Sequence, residues 1–206
     1  KETNKVISLI SLSVENWVYD NTYWDELVTA FKKQDSSWVT DNYIATMGKF
    51  GANYLWLINT DGTVFYNSLS TKKQQGDLFF MNIPVLLDTL RKKPFKHFFV
   101  SFNNETVEIF TAPVQPSKDI TRTSPHQGYM LAGQIINKAY FERLSVYTED
   151  NQYDLLPLAN HMSKNYSEEN SVVSYSKTFY DFNNQPLRLL KVTKNLDVLN
   201  AYKNSL

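Results

Sequence analysis

Tyr54-Leu55-Trp56-Leu57-Ile58-Asn59-Thr60-Asp61-Gly62-Thr63-Val64-Phe65-Tyr66 is the stretch on which the fold reading turns. Residues 54–58 form a short β-favouring run, Asn59-Thr60-Asp61-Gly62 is a turn signal ending in Asp-Gly, and Thr63–Tyr66 resumes the strand, so the segment reads as a β-hairpin. Upstream the period is different. Val6, Leu9, Ile10, Val14, Trp17, Val18, Trp24, Leu27, Val28 and Phe31 recur mostly at intervals of three and four, with no Gly or Pro before Gly48, which is the pattern of an amphipathic helix. The spacing predicts one helix over 4–33, ending at Lys32-Lys33 where positive charge suits a helix C-terminus. A second is expected over 37–50, behind the cap offered by Gln34-Asp35-Ser36-Ser37. At 1.5 Å per residue, a helix of about thirty residues is about 45 Å long and outreaches a domain of this size, so it reads as a spacer, a dimer surface or both.

Downstream of the hairpin come a polar loop (Ser68–Gln75), a helix near 81–92, strands at Lys96–Phe102 and Thr106–Pro113, and another strand at Gly128–Ile136. Between the last two lies Gln115–Gln127, a long loop with Pro116 and Pro125, which makes it a candidate lid. Helices are expected at 138–147 and 152–164, then a hairpin of Ser171–Tyr180 and Pro186–Thr193, and a final helix at Asn195–Leu206. Consecutive hairpins with helices bunched at the ends imply an α+β fold with a mostly antiparallel sheet. We read residues 1–206 as one domain. Its parts are a helical stalk with the second helix (1–50), a core sheet with helices (51–147), and a closing section of helix, hairpin subdomain and exit helix (148–206).

Composition narrows the function classes. Apolar residues make up 42% of the 206 and aromatics 15%, the profile of a packed protein. The 21 basic and 21 acidic residues cancel, so no basic field for nucleic acid exists. With no cysteine, disulfides, thiolate metal sites and cysteine nucleophiles are excluded. That leaves the cytosol and the bacterial periplasm or cell surface open. Lys1-Glu2-Thr3-Asn4 carries neither an initiator Met nor a signal-peptide core, and no run approaches a membrane-spanning length, so the chain reads as a piece of something longer.

No catalytic constellation, metal site or cofactor motif stands out. His97, His126 and His161 are far apart, with no HExxH or HxH spacing. Neither GxxxxGK, GxGxxG nor G-x-S-x-G occurs, and Asp61-Gly62 is better read as a turn than as part of a calcium loop. The informative cluster is Asp20, Tyr23, Trp24 and Asp25 with Trp17 on the first helix. One reading makes Trp24 a core knob and Asp25 a solvated or capping carboxylate; the other makes Asp20 or Asp25 a buried partner for a strand-end amide or a cation.

Asp20-Asn21-Thr22-Tyr23-Trp24-Asp25, then Trp38 and Asn42, then the Asn59–Val64 hairpin resemble the class-four CHASE domain. Thr111-Ala112-Pro113-Val114, Gly128-Tyr129-Met130-Leu131-Ala132-Gly133 and the closing Tyr180-Asp181-Phe182…Gln185-Pro186 hairpin continue the likeness in order along nearly the whole chain. The resemblance implies an extracytoplasmic sensor with a Cache/PAS-like fold, held between the membrane helices of a prokaryotic receptor. Its output would be a histidine kinase or a cyclic-dinucleotide enzyme, with no catalysis in the domain itself.

Strand parity then gives candidate ligand contacts: Tyr54 and Trp56 on the first strand, His97 and Phe99 on the third, Glu108 and Phe110 on the fourth, and Tyr129. Rings with a few polar groups are what small-molecule pockets use. The expected partner is a small molecule under the 115–127 loop, with a homodimer through the long N-terminal helix as a further expectation. The alternative from another class is a ligand-free dimerisation or protein-docking module.

Overall fold

The helical pattern of the N-terminus is interrupted once. In the computed structural model, which describes residues 2–68, 81–148, 151–158, 166–169 and 172–195, α1 spans Glu2–Asn21 and α2 spans Asp25–Lys33. One helix over 4–33 was expected. The Thr22 hydroxyl donates to the carbonyls of Val18 (2.8 Å) and Tyr19 (3.0 Å), and the Asn21 amide donates to Trp17 O (2.7 Å). Side chains thus take up the last carbonyls of α1, as helix ends require, and Trp24 is extended. Trp24, Leu27, Val28 and Phe31 keep the apolar spacing across the gap, so periodicity alone does not reveal it.

The second helix is found where expected. Asp35 accepts from Trp38 N at 3.1 Å, and the chain winds through α3 (Ser36–Val39), a π-helical turn (Thr40–Ile44), α4 (Ala45–Met47) and a 3-10 turn (Gly48–Phe50).

The hairpin that opened the sequence reading is present as β1 (Tyr54–Asn59) and β2 (Val64–Asn67). Gly62 sits at φ +93°, and Asp61 accepts from Thr63 N at 2.9 Å. After α5 (Ile83–Lys92) follow β3 (Lys96–Phe102), β4 (Glu105–Pro113) and β5 (Gly128–Ile135), and then α6 (Lys138–Tyr147). Their antiparallel sheet has the order β2-β1-β5-β4-β3. Alternation along each strand divides the core in two. One face packs Leu55, Leu57, Phe110, Ala112, Met130 and Ala132 against Val14, Trp17 and Val18 of α1 and Leu27, Val28 and Phe31 of α2. The other packs Trp56, Ile58, Phe98, Ile109, Tyr129 and Leu131 against Leu86, Leu87 and Leu90 of α5.

The C-terminal part departs from expectation. β6 (Asn151–Leu156) occupies the start of the helix expected over 152–164. There Tyr153 and Leu155 alternate onto one face and pack in the same cluster, a period of two hidden in a short run. Residues 159–164 of that expected helix, the exit helix beyond Asn195 and most of the Ser68–Gln75 loop lie outside the described residues. The closing hairpin is found as β8 (Val172–Tyr180) and β9 (Pro186–Asn195). It is the centre of a second sheet of order β6-β9-β8-β7, with β7 at Tyr166–Glu169. A third cluster, including Ile7, Phe99, Tyr140, Leu144, Phe179 and Leu190, ties α1, β3 and α6 to that sheet. Among the described residues no helix is long and apolar enough to cross a membrane.

Candidate ligand cleft

The seven ligand contacts read from strand parity divide between the two faces of the first sheet. His97 lies opposite Phe110, and Phe99 opposite Glu108, across β3 and β4, which places these four together on the α1 side. Tyr54, Trp56 and Tyr129 belong to the α5 side. Trp56 and Tyr129 are buried there, while Tyr54 donates its hydroxyl to Glu105 Oε2 at 2.8 Å and Tyr129 OH pairs with His126 Nε2 at 2.6 Å. One pocket cannot be lined by all seven.

On the α1 side a cleft of about 370 Å³ opens where three elements meet. α1 contributes Glu15, Val18 and Tyr19, the α5–β3 link Lys93 and Phe95, β3 and β4 Lys96, His97 and the Phe110–Ala112 stretch, and the β8–β9 turn Asn184. The His97 ring lies flat on Phe110, with centroids 4.8 Å apart, and its side chain is 44% exposed. Its Nε2 is 2.8 Å from Glu108 Oε1. Glu108 is fully buried; the same oxygen accepts from Ser11 Oγ of α1 at 2.8 Å, and Oε2 has no partner among the described residues. Gln134, directly across from Glu108 on β5, is also buried, with neither amide atom bonded among the described residues. The field of Glu108 reaches further groups: burial, then this charge, pushes the Tyr140 hydroxyl above the usual range, and the charge opposes the downward pull of burial on Lys177 of β8. Phe99 does not reach the cleft; it stacks on Phe179 of β8 at 4.0 Å.

The second sheet closes one side of the cleft. Lys96 Nζ donates to the Phe182 carbonyl, and Phe182 packs on Phe98 with centroids 5.5 Å apart. The β8–β9 turn is held by Asp181, whose Oδ1 accepts from Asn183 N and Gln185 N, both at 2.8 Å.

The Gln115–Gln127 loop, expected as a lid, is fastened to the α1–α2 junction. Asp25 accepts from Ser117 N (3.0 Å) and Ser117 Oγ (2.7 Å). Arg122, at φ +54°, donates to Tyr19 O (2.6 Å) and Pro113 O (2.9 Å). Its guanidinium lies 4.7 Å from the ring centres of both Tyr19 and Tyr23 and 5.5 Å from that of Phe95. Asp119 folds the loop on itself by accepting from Ser124 N (2.8 Å) and Ser124 Oγ (2.6 Å). Sequence reasoning missed Arg122, because nothing local marks a lone arginine as the partner of Tyr19 and Tyr23, about a hundred positions away.

The CHASE4 domain model matches residues 11–152 of the chain. The chain belongs to the CHASE4 domain family. No curated protein matches it. Among solved structures it is similar to the periplasmic domain of Vibrio cholerae LuxQ, at 11% identity and a TM-score of 0.56 over 94% of this chain and 96% of that one. It is similar too to the sensor domain of the V. cholerae histidine kinase DctB, at 9% identity and a TM-score of 0.58 over 94% and 93%. The α+β, Cache/PAS-like architecture is thus shared with periplasmic sensor domains.

Within this CHASE4 domain the Asp20–Asp25 motif is the helix break itself. Asp20 is exposed. Trp24 packs edge-on against Trp38 (5.2 Å) and Tyr43 (6.2 Å), and Asp25 is the loop anchor, held below the usual carboxylate range by the Ser117 hydrogen bonds. Trp24 is half-buried and packed against the first core cluster, and Asp25 is exposed and bonds the Ser117 amide and hydroxyl instead of capping a helix; neither carboxylate is buried.

Proposed function

We propose that this CHASE4 domain is the extracytoplasmic sensor of a membrane-bound receptor, and that it takes a small molecule in the α1-side cleft. The observation that carries this reading is the cleft's position: helix, first sheet and second-sheet turn each supply part of its wall. A ligand held there with different affinity in two packings of these elements shifts their equilibrium by that difference. α1 is the element that can carry the shift. Ile7 packs in the third cluster, Ser11 bonds Glu108, and Val14, Trp17 and Val18 pack on the first sheet, so the helix cannot slide or rotate without disturbing all three. Output by a histidine kinase or a cyclic-dinucleotide enzyme beyond this domain is part of the proposal, as is the absence of turnover within it. His97 and Phe110 are the contacts proposed to touch the ligand, with Glu108 orienting His97; Tyr54, Trp56, Phe99 and Tyr129 act as core.

Native mass spectrometry of the gently purified chain tests the cleft. A small-molecule adduct is expected, and Glu15→Trp, which sets an indole in the mouth from an exposed helix position, is expected to abolish it. An adduct that survives Glu15→Trp places the ligand elsewhere.

A second reading, a homodimer through α1, draws on exposed apolar side chains. Leu9, Phe50, Val146 and Tyr147 surround a depression of about 490 Å³ between α1 and α6. Sedimentation of the chain and of Leu9→Glu measures it: a dimer converted to monomer supports this face, and an unchanged state removes it.

A further inference from the structure

The charges and rings around the α1-side cleft are not distributed evenly. Lys93, Lys96 and His97 line its sheet side, and Glu15 is the acidic residue on its helix side. Lys96 is partly withdrawn from water: burial pulls its ammonium below the usual lysine range, neighbouring Lys93 adds to the pull, and the Asp181 carboxylate of the β8–β9 turn opposes it in part. An ammonium has three donors, and the Phe182 carbonyl occupies one of those on Lys96. Tyr19 and Phe95 form a tilted ring pair, centroids 5.5 Å apart, at 48% and 37% exposure. Those two large rings are left partly open to solvent beside a cationic edge, while the cleft floor at Phe110 and Ala112 is buried and apolar.

We infer that the cleft selects a small organic carboxylate with a flat apolar body, its carboxylate set toward Lys93, Lys96 and His97 and its body between Phe110 and the Tyr19–Phe95 pair. This rests on the reading of the cleft as the ligand site and adds the chemical class. An anion is favoured for two reasons. It compensates an ammonium that has already lost part of its hydration, and Lys-to-carboxylate hydrogen bonds are the strong, charge-assisted kind. A cation meets two lysines against one glutamate. A neutral molecule leaves the desolvation of Lys96 offset only by the Phe182 carbonyl and the Asp181 charge. The ring pair also connects the site to the loop latch, because Tyr19 and Phe95 hold the Arg122 guanidinium on their other contacts. A ligand ring that displaces either one changes the seat of Arg122.

The test uses benzoate, benzamide and benzylamine as matched probes of one shape and three charges, titrated at millimolar concentration into the isotopically labelled chain and followed by NMR. Benzoate is expected to shift His97, Phe95 and Tyr19 resonances, with little effect from the other two. Lys93→Glu is expected to weaken benzoate about fivefold and Glu15→Gln to strengthen it by a similar factor, the size of one near-surface charge interaction. Both positions are exposed, so both variants should fold, which the dispersed spectrum confirms. Equal binding by benzamide or benzylamine at the same residues overturns the class and leaves the cleft standing. Benzoate shifts confined to the Trp56 and Leu90 side overturn the cleft as well. Silence from all three probes overturns the carboxylate assignment, while the adduct experiment with Glu15→Trp continues to decide the cleft independently.

Discussion

Ser11 of α1 donates its hydroxyl to Glu108 Oε1 of β4 at 2.8 Å, joining residues 97 positions apart in a site closed to solvent. A buried carboxylate in a sheet interior is costly unless its oxygens are satisfied, and here one oxygen takes both Ser11 and His97 while the other takes none of the described residues. The long helix and the cleft histidine are therefore joined at one oxygen atom.

Ser11→Ala removes the helix partner and leaves the carboxylate in place. Hydrogen bonds to charged groups contribute about 1.5–3 kcal/mol, so a loss of about 2 kcal/mol is expected in urea unfolding, with Ser11→Thr close to the parent. A loss below about 0.5 kcal/mol would mean that the hydroxyl does not engage the ionised carboxylate.

The loop latch makes a kinetic prediction. Asp25→Ala and Arg122→Ala are each expected to speed amide exchange across 117–126 and to leave the Leu55–Ile58 amides unchanged, since the anchors lie outside the sheet ladder. Arg122→Lys should not restore protection, because a point ammonium replaces a planar group stacked on rings and bonded to two carbonyls. Uniform exchange across sheet and loop in the variants would show that the loop opens only by global unfolding. Hydrogen bonds hold both Asp25 and Asp119 below the usual aspartate range. Their contribution is thus present above about pH 3.8 and is lost only as pH falls through the lower native values.

What the sequence made legible follows from where the determining interactions lie. The Asn59–Gly62 turn and its strands were readable because a hairpin is specified by residues adjacent in the chain. The helix over 138–147 was readable for the same reason: Asn137 caps it through Tyr140 N at 3.1 Å. The stop at Thr22 was not, because apolar spacing continues across it and only hydroxyl and amide bonds to carbonyls mark the end. β6 was misread because six residues are too few to separate period two from period 3.6. The site was half legible. Parity set His97 with Phe99 on one face of the third strand and Glu108 with Phe110 on one face of the fourth, as the β3–β4 register has them, but it could not say that the chosen residues of β1 and β5 present the opposite face, since that depends on register between strands far apart in sequence.

His126 gives the pH dependence nearest neutrality. Burial, aided by the charge of Arg91, holds its native pKa below the ordinary histidine value, so the folded state keeps the ring neutral against Tyr129 OH. A depressed native pKa means the unfolded chain takes the proton first. The stabilisation is complete above about pH 6.5 and drains away as pH falls through the native value. The unfolding midpoint is expected to decline from about pH 7 to about pH 5, with a shallower decline in His126→Gln. Parallel curves for the two proteins would assign the acid sensitivity to other groups.

Gly128, the first residue of β5, lies directly against Phe31 of α2. A Cβ built there would lie 2.3 Å from the Ile58 carbonyl oxygen and 2.4 Å from Phe31 Cε1. Neither neighbour can yield easily: Ile58 is fixed by its pairing with Tyr129, and Phe31 is buried and packed edge-on against Phe65 at 4.9 Å. Overpacking a tight core costs about 1–3 kcal/mol, and a clash with backbone belongs at the upper end, so Gly128→Ala is expected to destabilise by about 3 kcal/mol. Gly48 supplies the control within the same chain. It has helical φ and ψ, and a Cβ there meets nothing within 4 Å. Gly48→Ala should therefore be stabilising by about 0.4–1 kcal/mol through the unfolded state. Denaturant midpoints that move in opposite directions for the two alanines are the expected result; a neutral Gly128→Ala would mean that Phe31 is free to withdraw from β5.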